Sequence, residues 1–422
     1  MKKNLIALTM VGALGTPLTA SAVLGDGVTL YGRVGVEYGS INIDQAPGAN
    51  DYRQESLSDN ADTSRWGLLI VEDLGGGLKA NARIEYGFRT GNGVTDSVRE
   101  QWIGLSHKSW GALQFGRVLS PFQDFAGGGT LDLLGSTNLQ ARGSGGAIYA
   151  PGNGMGASSQ VDHAIRYNSP SWGGFSMAVL ASPVDATQTD GANGGGNIGG
   201  KGGANNYQIG LKYKFGAAGE IFGGYSNDDA SDAQAALPAV NGKTADDEQV
   251  WRLGTAWNFG NFRIAGQYDK IKNALAGNGG TSCSGGASAN GNGDAGISTA
   301  QCNTSLNTNG DGDIWFLTTQ YKMGKTTLVL QGGATKADEV GAMNEREAKN
   351  LTAGVIYSLS KRTRVFGGYQ RVSVEGARNV SNTLGTTTTT TVVGGVPTTV
   401  VNPVLATQPD RDTWSLGMLH AF

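Results

Sequence analysis

The sequence predicts an all-β fold, a closed antiparallel transmembrane β-barrel of sixteen strands. Three observations point there. Segments of roughly 8–12 residues alternate in polarity from one residue to the next; tight turns and long polar loops separate them in strict alternation; and aromatic residues gather at segment ends.

The first twenty-two residues read as an address. Lys2 and Lys3 form a basic start, Leu5 to Leu14 an apolar run, and Ala20-Ser21-Ala22 a small-residue cleavage pattern. That run is shorter than the roughly 20 residues a membrane helix needs, so an uncleaved anchor is the weaker reading. The expected organisation is a signal peptide over 1–22 and a single barrel domain over 23–422. Removing Lys2 and Lys3 from 32 basic and 35 acidic residues leaves a formal charge of −5, and no basic tail exists. Nucleic acid is therefore not an expected partner.

Glycine supplies 69 of 422 residues, more than twice the usual share of about 7%, and no stretch past residue 22 reads as a long amphipathic helix. Such a chain is either repetitive and partly disordered or one large β-structure. Cys283 and Cys302 share one polar segment, and export makes a disulfide between them the expectation. A metal pair is the weaker alternative, because no histidine lies in that segment.

The alternation is plain over 78–89. Leu78, Ala80, Ala82, Ile84, Tyr86 and Phe88 share one face, and Lys79, Asn81, Arg83, Glu85 and Arg89 fall on the other. Side chains of a strand point to opposite sides with period two, so one face is oily and one charged. The pattern recurs with Leu30, Val34, Val36 and Tyr38 opposite Arg33 and Glu37, and again in the last segment with Trp414, Leu416, Met418, His420 and Phe422. A soluble sandwich would alternate too. Aromatics such as Tyr31, Tyr38, Tyr86, Trp251, Tyr268, Tyr369 and Trp414 at strand ends instead suggest girdles at two membrane interfaces. In hydrocarbon every backbone donor and acceptor must be paired, and strands achieve that only as a closed ring.

The expected strands are roughly 28–38, 64–72, 78–89, 98–107, 111–118, 162–168, 174–181, 206–215, 219–226, 248–258, 262–271, 312–322, 326–334, 348–358, 363–373 and 411–422. Sixteen strands enclose an aqueous lumen, whereas about eight are filled by their own side chains.

Several stretches resemble the Gram-negative general porins. They are Val28-Thr-Leu-Tyr-Gly-Arg33, Ser64-Arg-Trp-Gly67 running on to Glu72-Asp-Leu-Gly-Gly-Gly-Leu78, Arg99-Glu-Gln-Trp-Ile-Gly-Leu105 with Gly116-Arg117, and Ile165-Arg-Tyr-Asn-Ser-Pro170. Phe422 matches the family's closing residue, which barrel-assembly machinery is thought to read. The resemblance implies an outer-membrane homotrimer in contact with lipids and lipopolysaccharide. It implies passive passage of small hydrophilic solutes and ions, with no cofactor.

It also implies that the third long loop, here about 119–161, folds into the lumen and sets acidic side chains against a basic wall. The loop candidates are Asp124 and Asp132. The wall candidates are Arg33, Arg65, Arg83, Arg99, Arg117 and Arg166. Arg117 shares parity with Leu113 and Phe115, so it reaches the lumen only if the strand bulges near Gly116. Each arginine has a plainer reading as a solvated wall residue. The loop lacks a second strong acid after Asp132, which suggests weak anion preference.

Other signals carry less. Asn307 to Asp313 imitates a calcium loop, but Thr318 stands where a bidentate Glu is needed. Gly152 to Gly156 lacks the strand–helix setting of a phosphate loop. The threonine run 386–391 is either an external hairpin or disordered. His107, His163 and His420 form no catalytic arrangement, so no enzyme is expected. A substrate-specific channel, or a barrel serving as adhesin or phage receptor, is the alternative function.

Overall fold

The computed structural model describes residues 21–25, 27–44, 52–58, 64–91, 95–125, 131–141, 160–183, 206–230, 243–274, 310–340, 345–375, 386–393, 396–403 and 410–422. Cys283, Cys302 and residues 1–20 lie outside them, as does the glycine-rich stretch at 152–156.

Sixteen strands form the wall: β1 (Val28–Asp44), β2 (Ser64–Gly75), β3 (Leu78–Phe88), β4 (Thr95–His107), β5 (Gly111–Leu119), β6 (Gln160–Asn168), β7 (Phe175–Ser182) and β8 (Asn206–Lys214), then β9 (Gly219–Asp228), β10 (Glu248–Phe259), β11 (Phe262–Lys272), β12 (Gly312–Met323), β13 (Thr326–Ala337), β14 (Arg346–Ser358), β15 (Thr363–Glu375) and β16 (Asp410–Ala421). Each pairs antiparallel with its neighbours in sequence.

The ring closes where β1 meets β16, from Arg33 opposite Ala421 to Asp44 opposite Asp410. Beyond that ladder, Gly32 and Phe422 exchange amide hydrogen bonds, each 3.0 Å. A Cβ on Gly32 would lie 2.4 Å from the Phe422 ring and 2.7 Å from the Arg65 carbonyl. Glycine is therefore the residue that lets the terminal aromatic seat against the seam.

The two faces sort by chemistry. Trp251, Leu253, Trp315, Leu317, Leu351, Trp414 and Leu416 are exposed on the outer face. Their immediate neighbours Arg252, Asn350, Thr413 and Ser415 point inward and are buried. An apolar band outside and polar groups inside is the pattern of a barrel solvated by lipid. Short connections such as those at Gly260 (φ +59°) and Gly324 (φ +58°) use glycine in the left-handed region, as tight turns require.

The structure extends and corrects the expected segments. β1 continues to Asp44 instead of ending at 38, because Tyr52–Ser58 folds back and pairs with it. A short strand, Ser21–Gly25, pairs with the start of β1. Thr386–Val393 and Val396–Pro403 form a separate two-stranded hairpin, the first of the two readings of the threonine run. Tyr31 is no girdle residue: it shares inward parity with Arg33, and its hydroxyl donates to Glu85 at 2.9 Å.

Candidate pore constriction

The segment between β5 and β6 starts with a one-turn helix, Pro121–Asp124, capped by the Ser120 hydroxyl, which accepts from the Gln123 amide at 3.2 Å. Proline at the first helical position fits there because its missing N–H would have no partner anyway. The described parts of this loop lie against inward-facing residues of successive strands. Phe122 packs with Val250, Ile271 and Ile314 and sits over Gly224, where a Cβ would come within 2.5 Å of its ring. Leu131 and Ala141 pack with Phe222, Ala256, Ala265 and Phe316. Leu134 and Leu139 pack with Val329, Ile356 and Phe366. The described parts of the third loop thus lie inside the barrel, lining it from β9 round to β15.

Polar contacts fix that course. Arg252 binds Asp269 with two hydrogen bonds, 2.8 and 3.1 Å, donates to the Phe122 carbonyl at 2.7 Å, and lays its guanidinium 4.3 Å from the Phe122 ring centre. Gln267 donates to both oxygens of Asp269. Further on, Gln370 donates to the Leu139 carbonyl at 3.0 Å. The loop then reaches β1, where the Asn138 amide donates to both oxygens of Glu37 (3.0 and 2.9 Å) and Ser415 donates to the same carboxylate at 2.8 Å.

The wall of β2–β4 is different. Glu85 collects four donors: Arg99 at 2.7 Å and Arg65 at 3.3 Å on one oxygen, Arg83 at 2.6 Å and Tyr31 at 2.9 Å on the other. Arg83 also donates to the Tyr31 hydroxyl at 2.6 Å and lies 3.1 Å from Glu100, which accepts from the Trp102 indole at 2.9 Å. Arg33, directly opposite Arg65 in the ladder, lies in the field of Arg65, Arg99 and Arg364, with Glu85 as the opposing charge. Three guanidinium groups thus pair with two carboxylates on this side of the lumen, and Arg33 and Arg364 add two further inward cations beside them.

The structure brings Arg33, Arg65, Arg83 and Arg99 together as one cluster, and places the remaining candidates elsewhere. Arg166 donates to Asp124 at 2.9 Å and to the Leu119 carbonyl at 2.7 Å, so both residues tie the loop to its root. Asp132 does not face the arginines across a gap. One oxygen accepts from the Leu134 amide and Gln331, both at 3.0 Å, and the other from the Ala141 amide at 2.8 Å. It organises the loop's own backbone. Arg117, next to Gly116 with its φ of +129°, stands opposite Gln101 and faces a bulge in β6, where Asp162 and His163 lie between the paired Val161 and Ala164. It pairs with Asp162 and donates to the Val98 carbonyl at 3.0 Å.

Residues that motif matching passed over complete the site. Arg364 has the same inward parity as Gln370 and would have been found by alternation alone. Glu100 would too, because it stands opposite Glu85 and shares the inward parity of Trp102; Arg99, skipped in the β3–β4 register, is the residue that a bulge turns inward although Ile103 and Leu105 face out.

A lipid-clad ring with a charged, loop-narrowed interior defines a transmembrane barrel channel. Residues 7–377 match the family described as Gram-negative porin, and the chain belongs to that family. It is an integral protein of the outer membrane. Outer membrane porin protein 32 of Delftia acidovorans is 27% identical over 419 residues, spanning 94% of this chain and 95% of that one. An outer membrane porin protein of Bordetella pertussis is 32% identical over 196 residues, 42% of this chain and 47% of the relative. Thus the aligned part spans about half of the Bordetella protein. Among solved structures, the anion-selective porin from Comamonas acidovorans superposes with a TM-score of 0.62 at 20% identity, covering 96% of this chain and 100% of that one. OmpF of Salmonella typhi gives 0.59 at 14% identity, with coverage of 96% and 100%. At these identities the likeness speaks to the fold.

Proposed function

We propose that this porin lets small hydrophilic solutes and ions diffuse passively, with a weak preference for anions, as a homotrimer whose Phe422 is read by the barrel-assembly machinery. One observation carries the preference: on the β2–β4 wall three arginines, Arg65, Arg83 and Arg99, share Glu85 and Glu100, with Arg33 of β1 opposite Arg65 and Arg364 on the inward face of β15, while the loop acids Asp124 and Asp132 are engaged in holding the loop. The described parts of the loop rest against the other strands, so the passage runs along the arginine-bearing wall. Fixed charge of one sign along a narrow aqueous path raises the local concentration of the opposite ion. The relative from Comamonas, anion-selective by its own description, agrees in fold.

Reversal potentials across planar bilayers in a salt gradient test the reading. Chloride permeability exceeding potassium permeability is expected; clear cation preference would overturn it. An absence of any conductance would favour the adhesin alternative.

A further inference from the structure

A second polar patch faces the lumen near the short connections at Gly260 and Gly324. Arg263 of β11 stands directly opposite Gln320 of β12, and Thr318 lies two residues further along β12. All three have inward parity, Arg263 with the buried Ala265 and Gln267, Gln320 and Thr318 with the buried Phe316. Their strand neighbours Phe262, Leu317 and Tyr321 are exposed on the outer face. Three donor atoms of the patch are buried: Arg263 Nε, Gln320 Nε2 and Thr318 Oγ1. Among the described residues none of the three has a hydrogen-bond partner, and no carboxylate lies within ion-pair distance of Arg263.

The surroundings supply no acceptor. Asn258, opposite Arg263 on β10, donates instead to the Ala217 carbonyl at 2.9 Å, and Val329 stands opposite Gln320 on β13. One row further from the turns, Leu131 and Ala141 of the third loop pack on Ala265 and Phe316. The loop acid Asp132 accepts from Gln331, which stands opposite Thr318, and from the Leu134 and Ala141 amides. Glu220 is the acid whose field reaches Arg263. It lies 4.0 Å from the Lys212 ammonium, so two cations outweigh it on this part of the wall.

A buried donor without an acceptor is destabilising, so three on one inward patch need a reason beyond folding. Water meets such donors one at a time. A carboxylate meets them together: its two oxygens match the edge of a guanidinium, and a neighbouring amide adds a bond from the same side. One guanidinium in the opposing field of Glu220 also balances a single negative charge better than the double charge of a phosphate. We propose that Arg263 and Gln320, assisted by Thr318, form a subsite for the carboxylate of a small organic acid. It lies on the short-turn side of the third loop, on a different wall from the β2–β4 arginines. The subsite rests on the diffusion reading above and deepens it by naming a class of solute.

The test records single-channel chloride currents of the full-length protein in a planar bilayer while lactate is added. Lactate should reduce the current in a saturable way. Arg263→Gln should raise the half-blocking concentration by roughly tenfold or more, the loss of a hydrogen bond to a charged partner, and Gln320→Leu by roughly fivefold. Arg263→Lys keeps the charge without the planar fork and should recover only part of the block. Should Arg263→Gln fail to assemble, Arg263→Lys and Gln320→Leu carry the comparison. Saturation-transfer NMR of lactate with the protein in detergent ranks the same affinities without any current. A wild-type barrel that conducts nothing refutes the diffusion reading, whereas a conducting barrel whose lactate affinity is the same in wild type and variants overturns the subsite alone. Full recovery by Arg263→Lys with no effect of Gln320→Leu would reduce the patch to a general charge, and tighter binding of inorganic phosphate than of lactate would contradict the carboxylate assignment. Either result overturns the proposal.

Discussion

The two halves of the lumen wall obey different rules. On β2–β4 the inward positions are charged: Arg65, Arg83, Glu85, Arg99 and Glu100 bind one another. From β9 to β15 inward positions include Phe222, Val250, Ile314, Phe316, Val329 and Phe366, all buried. Those strands are covered by the third loop, and burial against Phe122, Leu131, Leu134 and Leu139 turns a channel wall into a small hydrophobic core. An inward side chain is thus wet or dry according to whether the loop lies over it.

The contrast can be broken most sharply at Arg252. Arg252→Ala leaves Asp269 buried without its cation and frees the Phe122 carbonyl, a change expected to cost about 3–5 kcal/mol. Heat-dependent electrophoretic mobility should show a lower unfolding temperature, and single-channel records should become noisier as the loop root loosens. A quiet, wild-type trace would mean that the loop is held by its apolar contacts alone.

Next in size is Glu85→Gln, which removes the negative charge that three arginines share. A unit charge in water acts on an ion 4 Å away with about 1 kcal/mol, so the anion-to-cation permeability ratio should rise up to about fivefold. Arg364→Gln should lower that ratio by less, because Arg364 is one of five cations. Reversal potentials measured on both variants sharpen the comparison, and shifts in the same direction would refute the assignment of the cluster. The smallest effect belongs to Arg117→Gln. Its half-buried pair with Asp162 should cost at most about 1 kcal/mol and leave selectivity unchanged. A selectivity shift there would place the bulge in the ion path.

Much of this was legible in the sequence. Strand number, the polarity of each face and the gathering of Arg33, Arg65, Arg83 and Arg99 follow from period-two alternation and motif position. What escaped has a physical reason in each case. The bulge at Arg99, which turns that residue inward although Ile103 and Leu105 face out, leaves no mark on the polarity pattern. Asp132 looked like a pore-facing charge because its partners, the amides of Leu134 and Ala141, come from a loop fold that no periodicity describes. Arg252 and Asp269 stand on consecutive strands and meet through the β10–β11 register. Their importance depends on a loop residue, Phe122, resting over them. Tyr31 could have been assigned correctly, since parity with Arg33 outweighs its position near a strand end.

The seating of Phe422 against Gly32 has a consequence for how the barrel comes to exist. Every other neighbouring pair in the ring joins segments consecutive along the barrel, so those hairpins can register early. The closing pair joins the first and last strands of the barrel, the most non-local pairing in the ring, and such contacts are slow because the entropy of a long loop must be lost first. Until the two ends meet, β1 and β16 each present an open edge, and an open edge in hydrocarbon leaves a row of backbone groups unsatisfied. Docking of one aromatic side chain over one glycine is therefore a natural final event of maturation, the step that turns an adhesive sheet into an inert cylinder.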